Sequence, residues 1–148
     1  MAQADWQRFT RPRFALEFSY PPTTPRGQPV ERNEQRRDDM ERVHLSSPDR
    51  EELYVEVARF AGITPQDEYA NHKPFLERRF GRDSVTGLAQ TSLLDAPAWT
   101  YSIRWDEDGR PMERAVLLLQ IGADTYRIIR DPRSGLNDEV MATITIAE

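Results

Sequence analysis

The sequence predicts an α+β fold in which helices pack on an antiparallel β-sheet of about six strands. The main observation is residues 98–132, where runs rich in β-branched and aromatic residues are broken twice by short polar turns that contain glycine. This pattern predicts a meander of three successive strands. A second observation is the pair of helix-end signals around residues 64–80. With 148 residues and no cysteine, the chain fits one domain, 1–148, whose core needs no disulfides.

The N-terminal part predicts one strand followed by a long loop. Residues 13–20 alternate aromatic or aliphatic residues with smaller or charged ones and stop at two prolines, which indicates a strand with one buried face. Residues 21–40 contain four prolines and many charges. We expect a mobile loop there, or a short charged hairpin arm about Val30, within the domain.

Two further strands are predicted before the helix. Residues 41–46 alternate as a short strand whose outward face would carry His44. Residues 47–61 combine the cap, proline and acidic residues of a helix start with the two-residue period of a strand. We favour a turn followed by a strand.

Residues 64–80 are the clearest helix. Thr64 can cap it, Pro65 suits the first helical position, and Gly81 suits the end. Pro74 removes one internal hydrogen bond and should kink or divide the helix. The stripe that should pack on the sheet consists of Tyr69, His72, Lys73, Leu76 and Phe80.

The remaining elements are the meander and a short helix after it. Residues 85–93 predict an irregular strand. The apolar run 115–121 should be the central strand of the meander, covered on both faces. A closing helix should begin at Asn137, a good cap residue. In the first strand of the meander, the face expected to lie in the core carries Trp99, Tyr101, Ile103 and Trp105.

Composition excludes several classes of function. The net charge of −5 argues against nucleic-acid binding, because such domains usually carry a basic excess. The chain has no apolar run resembling a signal peptide or a membrane span, so we expect a cytoplasmic protein without membrane contact. His44 and His72 are the only histidines, and neither a metal-ligand spacing nor a nucleotide-binding glycine motif is present. We therefore expect no metal, no cofactor and no catalytic residue.

The polar face of the meander is the sharper binding candidate. Arg127 on the third strand could point the same way as this face, and arginine forks there could receive a carboxylate. The candidate residues on the first strand are Thr100, Ser102 and Arg104. The plainer interpretation, which we favour, is that these arginines pair internally with residues such as Glu56 or Glu113.

A pocket between sheet and helix is the second binding candidate. It would lie near Trp99, Trp105, Tyr69 and His72. Aromatic residues on an alternating strand are more often core, so we expect these rings to close on one another. A cavity large enough for a ligand beside Trp105 would favour the pocket instead.

The order of the predicted elements resembles the PsbP-like superfamily, which includes the extrinsic photosystem II protein, the MOG-type Ran-binding import factor and many uncharacterised bacterial proteins. The resemblance implies an antiparallel sheet between helices, in a bacterial member that acts by docking on other proteins. No Ran-contacting motif and no lumenal targeting segment is matched. The segments that carry the resemblance are FALEFSYPP (14–22), VHLSSPDREELYVEVARF (43–60), AWTYSIRW (98–105), TYRIIRDP (125–132) and LNDEVMATITI (136–146).

The sequence thus predicts a non-catalytic module that binds a protein partner through a sheet edge, the charged loop or the arginine face. The competing class is a small enzyme or small-molecule sensor that uses the pocket between sheet and helix. Self-association is a third possibility, because an open sheet edge could extend across a twofold axis to form a homodimer.

Overall fold

A computed structural model describes residues 5–147 and contains ten strands and two helices. The predicted α+β class is confirmed, and so is the meander, which comprises β7, β8 and β9. The strands are β1 (Gln7–Arg11), β2 (Phe14–Tyr20), β3 (Glu31–Arg37), β4 (Met40–Ser46), β5 (Tyr54–Phe60), β6 (Ala89–Leu93), β7 (Ala96–Glu107), β8 (Arg110–Ile121), β9 (Asp124–Arg130) and β10 (Thr145–Ile146). The helices are α1 (Pro65–Phe80) and α2 (Gly135–Met141).

The strands form two antiparallel sheets where we expected one. The main sheet has seven strands in the order β3-β4-β5-β9-β8-β7-β6, and the small sheet has the order β1-β2-β10. Strand β2 therefore belongs to a separate layer. Its apolar face, which carries Phe14, Leu16 and Phe18, packs onto the main sheet. The predicted number of about six strands is too low.

Each face of the main sheet has its own apolar cluster. The larger cluster fills the space between the main sheet, the small sheet and α2. The smaller cluster lies under α1 and includes Leu76 of the helix with Tyr101, Ile103 and Val116 of the sheet. One face is thus covered by α1, and the other is covered by the small sheet together with α2. The predicted arrangement of the sheet between helices holds with this addition.

The segment 21–40 was predicted as a mobile loop or arm, and that prediction is wrong for its second half. Strand β3 pairs with β4 along its whole length, from Glu31 opposite Ser46 to Arg37 opposite Met40. The charges that suggested a loop are those of an exposed edge strand, which needs no apolar face. The predicted strand over residues 41–46 and the predicted turn before β5 are confirmed.

Helix α1 begins as predicted. The hydroxyl oxygen of Thr64 accepts a hydrogen bond from the backbone N–H of Asp67, and Pro65 is the first helical residue. The helix continues through Pro74 without a break, so it is not divided there. No helix within residues 5–147 is long and apolar enough to cross a membrane.

Helix α2 begins three residues before the position that we predicted, with Ser134 at the cap position. Asn137 is not its cap but a buried residue of its first turn. The side chain of Asn137 accepts a hydrogen bond from the backbone N–H of Tyr54 and donates one to the carbonyl of Asp131. The amide that suggested a cap therefore joins the helix to β5 and to the residue that follows β9.

Candidate functional site

An open groove of about 1330 Å³ lies on the face of the main sheet that carries α1. Helix α1 contacts β7, β8 and β9 and leaves the same face of β3, β4 and β5 open beside it. Both ends of β5, Tyr54 and Phe60, line this α1 groove, so it is roughly 20 Å long at the rise of a strand.

A buried charge cluster lies in the middle of the groove floor. Arg127 on β9 lies between Glu56 of the neighbouring strand β5 and Glu68 of α1, with N–O distances of 3.1 and 3.3 Å. Burial raises the pKa of the Glu68 carboxyl, although Arg127 opposes this. All three side chains are buried, and each end of the guanidinium is occupied by one carboxylate. This cluster fixes the helix against the sheet at the groove floor.

His72 lies one helical turn after Glu68 and is neutral. Its Nδ1 is 2.8 Å from the hydroxyl of Tyr101 on β7. Burial, together with the charge of Arg127, lowers the pKa of His72 to about 3. Burial also raises the pKa of the Tyr101 hydroxyl, so neither group ionises near neutral pH.

A row of stacked side chains crosses the other end of the floor. The guanidinium of Arg114 lies 4.2 Å from the ring centre of Tyr54 and 5.4 Å from that of Trp105. Trp105 in turn packs on Phe80 of α1, with ring centres 4.4 Å apart. Asp131 holds the same guanidinium at 3.3 Å. This stacked row, Tyr54–Arg114–Trp105–Phe80, gives the floor a rigid surface that is partly aromatic and partly cationic.

The wall and rim of the groove carry an exposed phenylalanine and arginines that form no ion pair within residues 5–147. Phe75 of α1 is 51% exposed, and among the described residues only it and Leu94 are large, exposed and apolar. Leu94 does not line the groove. Three lining arginines, Arg37, Arg50 and Arg79, make no ion pair with any residue from 5 to 147. The groove therefore offers an apolar contact and free guanidinium groups.

The structure divides the six candidate residues between two faces of the sheet. Three of them line the α1 groove: His72, Trp105 and Arg127. The other three lie on the opposite face: Thr100, Ser102 and Arg104. The strand register does not permit Arg127 to point the same way as Arg104, which we had considered possible.

Strand register explains this division. Trp99 on β7 lies opposite Leu118 on β8, which lies opposite Arg127 on β9, so these three residues share the α1 face. The internal pairing that we favoured is present for both arginines. Arg127 pairs with Glu56, and Arg104 pairs with Glu113 at 3.9 Å.

The aromatic residues close on one another only in part. The rings of Tyr69 and Tyr101 meet edge to face at 4.9 Å, and Trp99 and Trp105 are half-buried against the smaller cluster. The prediction of closure is wrong beside Trp105, where the groove lies. His44 is not on an outward face either. It lies half-buried on the groove side of β4 against Tyr54, with ring centres 4.6 Å apart.

Sequence reasoning missed the groove residues Tyr54, Glu68, Phe75 and Arg114. One signal was available for Arg114, because it occupies a two-residue alternation with Met112, Val116 and Leu118 that predicts a shared face. Within residues 5–147, no three histidine or acidic side chains are placed to hold a metal ion together.

Two solved structures resemble this one in fold. Cyanobacterial PsbP (CyanoP) from Synechocystis sp. PCC 6803 matches with a TM-score of 0.64 at 9% identity, over 99% of this chain and 95% of that one. A crystal structure from Bacteroides thetaiotaomicron VPI-5482 matches with a TM-score of 0.55 at 15% identity over 97% of this chain, which spans about half of that protein (49%). No protein-family model and no curated protein matches the sequence. The chain has a PsbP-like fold.

Proposed function

We propose that this chain is a non-catalytic docking module whose α1 groove binds an extended segment of a partner protein. The observation that carries the proposal is the composition of the groove: a Tyr–Arg–Trp stack in the floor and an exposed phenylalanine in the wall. Tyrosine, tryptophan and arginine are enriched among the few residues that contribute most of the binding free energy in protein interfaces. The docking behaviour implied by the PsbP-like resemblance agrees with this assignment, and no Ran-type partner is part of it.

The size of the groove favours a polypeptide over a small molecule. Pockets for small ligands usually measure about 300–1,000 Å³ and enclose most of the ligand. The α1 groove is larger, at about 1330 Å³, and is open to solvent along its length. An extended segment of about six residues would span the roughly 20 Å of its floor.

The free groups on the rim specify the chemistry of the segment. Eight arginines and seven carboxylates line the groove, whereas the whole chain has a net charge of −5, so the groove is less negative than the rest of the protein. Carboxylates of a partner can pair with Arg37, Arg50 and Arg79, and a large apolar side chain can pack on Phe75. The partner segment should therefore combine acidic and large apolar residues.

A small-molecule sensor or small enzyme is the second candidate. It is favoured by the open groove beside Trp105, which is the observation expected for a pocket, and by the gathering of groups with shifted pKa values, Glu68, His72 and Tyr101, in one part of the groove floor. Against it, the Nδ1 atom of His72 is engaged by Tyr101 and both carboxylates of the cluster are engaged by Arg127. We rank this candidate below docking for that reason.

Selection from a random-peptide library displayed on phage tests the proposal. We expect wild-type protein to enrich peptides in which acidic residues flank an aromatic or large aliphatic residue. Phe75→Ser and Arg79→Ser should each weaken binding of the enriched peptides, measured by calorimetry, by at least about tenfold, because each removes an anchor of the groove.

Two matched variants serve as controls. Leu94→Ser removes the other exposed large apolar side chain, and Arg104→Ser removes an exposed arginine on the opposite face. Both should bind the peptides as the wild type does. Enrichment of no peptide, or equal losses in the Leu94→Ser and Phe75→Ser variants, would contradict the docking proposal. Stabilisation by a small-molecule library that Phe75→Ser abolishes would favour the second candidate.

A further inference from the structure

Strand β6 leaves one edge of the main sheet open. It is the last strand in the order β3-β4-β5-β9-β8-β7-β6, and its first four residues are exposed. The opposite edge strand, β3, carries charges at five of its seven positions, whereas β6 (AQTSL) carries none. Charged side chains discourage pairing at a sheet edge, so only the β3 edge is protected in this way.

The register of β6 identifies which backbone groups face outward. Ser92 lies opposite Pro97 on β7, and proline has no N–H to donate. Ser92 and Pro97 therefore cannot form a hydrogen-bonded pair, in which both residues donate and accept. Because the two kinds of pair alternate along an antiparallel ladder, the N–H and C=O groups of both Gln90 and Ser92 point away from β7.

The outer edge of β6 is complementary to itself. A twofold axis at Thr91 would place Gln90 of one copy opposite Ser92 of the other, so that four N–H···O bonds form. Thr91 would lie opposite its own counterpart, which is a favourable cross-strand pair, and Ala89 would lie opposite Leu93. No charged side chain is opposed to another in this arrangement.

The apolar face also continues across such an axis. Leu93 and Ala96 are partly buried against the larger cluster at this end of the sheet. They lie on the same face as Ala89 and Thr91, which are exposed in the single chain. Pairing would bury Ala89 and Thr91 against the same face of β6 in the second copy and so extend the larger cluster across the axis.

We propose that two copies of this chain pair antiparallel through β6 and join their main sheets into one continuous sheet. The occupant of the edge is a second copy because the strand satisfies its own pairing requirements in full. The interface is short, so association should be reversible and dependent on concentration. The proposal is independent of the α1 groove, since no residue of β6 lines it.

Sedimentation velocity over a range of concentrations tests the proposal with a pair of charge variants. Gln90→Lys with Ser92→Lys would place like charges opposite each other in both symmetric pairs, and should leave one subunit mass at every concentration. Gln90→Lys with Ser92→Glu would place opposite charges there, and should lower the dimer dissociation constant about three- to tenfold below that of the wild type.

Each remaining outcome decides against the β6 interface. A single subunit mass for the wild type at its highest attainable concentration would overturn the proposal. So would a Lys/Lys variant that associates as strongly as the wild type, because the contact would then lie elsewhere. Circular dichroism spectra like that of the wild type would establish that both variants are folded. Phe75→Ser should associate like the wild type, which separates this test from that of the groove.

Discussion

At the scale of single residues, His72 is a histidine whose pKa changes strongly on folding. It lies between the Tyr101 hydroxyl and the charge of Arg127, on a helix turn that also carries Glu68. Since its pKa falls from 6.5 to about 3 on folding, the unfolded chain binds a proton there that the folded chain does not. Above pH 6.5 this difference has no effect on the free energy of unfolding. As the pH falls from 6.5 toward 3, protonation of His72 in the unfolded chain lowers the free energy of unfolding.

We expect His72→Gln to make stability less sensitive to acid. Between about pH 7 and about pH 4, the variant should lose about 1–3 kcal/mol less unfolding free energy than the wild type. Urea unfolding across this range measures the difference. Glu68, whose pKa is raised, makes the free energy of unfolding increase as the pH falls, and it does so in both proteins.

The other histidine provides the control for this measurement. Burial lowers the pKa of His44, but Glu56 raises it, so His44→Gln should change the acid sensitivity less. Equal slopes of stability against pH in the wild type and the His72→Gln variant would contradict the assignment.

The sequence could have predicted on which face of the sheet each candidate arginine lies. Two-residue turns at residues 108–109 and 122–123 fix the register of the meander, because Glu107 pairs with Arg110 and Ile121 pairs with Asp124. Counting back through both turns places Arg127 in line with Trp99. The pairing of Arg127 with Glu68 could not be found in this way, since it depends on where α1 packs.

At the scale of elements, α1 is the wall of the groove and carries an internal proline. Pro74 is exposed and follows Ala70 by four residues, so the carbonyl of Ala70 lacks its helical donor. The helix remains continuous because Thr64 caps its start and Leu76 anchors it on the sheet. Tertiary packing therefore outweighs the local cost of the proline.

Replacing this proline should stabilise the protein. Pro74→Ala restores one helical hydrogen bond and should raise the unfolding free energy by about 1–3 kcal/mol, measured by urea denaturation. Pro65→Ala is the matched control, because the first position of a helix needs no N–H donor. It should leave stability unchanged or lower it, as Pro65 is buried. A Pro74→Ala protein no more stable than the wild type would contradict this account.

Local sequence predicted the strongly patterned elements and missed the weakly patterned ones. The meander, α1 and β5 have clear periodicity or end signals. Strand β3 is charged on both faces, and β10 has only two residues, so neither has an apolar pattern to detect. Strand β1 has one buried residue, Phe9, whose role depends on stacking against Phe18 of the neighbouring strand.

At the scale of the whole molecule, the two faces of the main sheet are covered unequally. The larger cluster joins both sheets and α2, whereas α1 has only three buried residues: Pro65, Glu68 and Leu76. A helix held by so few buried side chains should open locally more easily than the strands beneath it.

Native-state hydrogen exchange should therefore divide the protein into two units. The amides of α1 should exchange through openings of lower free energy than those of β5 and β9, which should need global unfolding. Leu76→Ala should lower protection in α1 more than in the strands. If α1 and β5 exchange at one common free energy in both proteins, the helix and sheet form a single cooperative unit.

The order of strands in the main sheet has a consequence for how the molecule assembles. Every neighbouring pair joins strands consecutive in sequence except β5 and β9, which meet from Val55 opposite Arg130 to Phe60 opposite Thr125. Each half of the sheet can form from local hairpins, but the seam between them requires closure of a long loop and should form late. The Glu56–Arg127 pair spans that seam. The α1 groove should therefore be absent until folding is nearly complete, and under the docking proposal a newly made chain could not bind its partner before the two halves of the sheet have met.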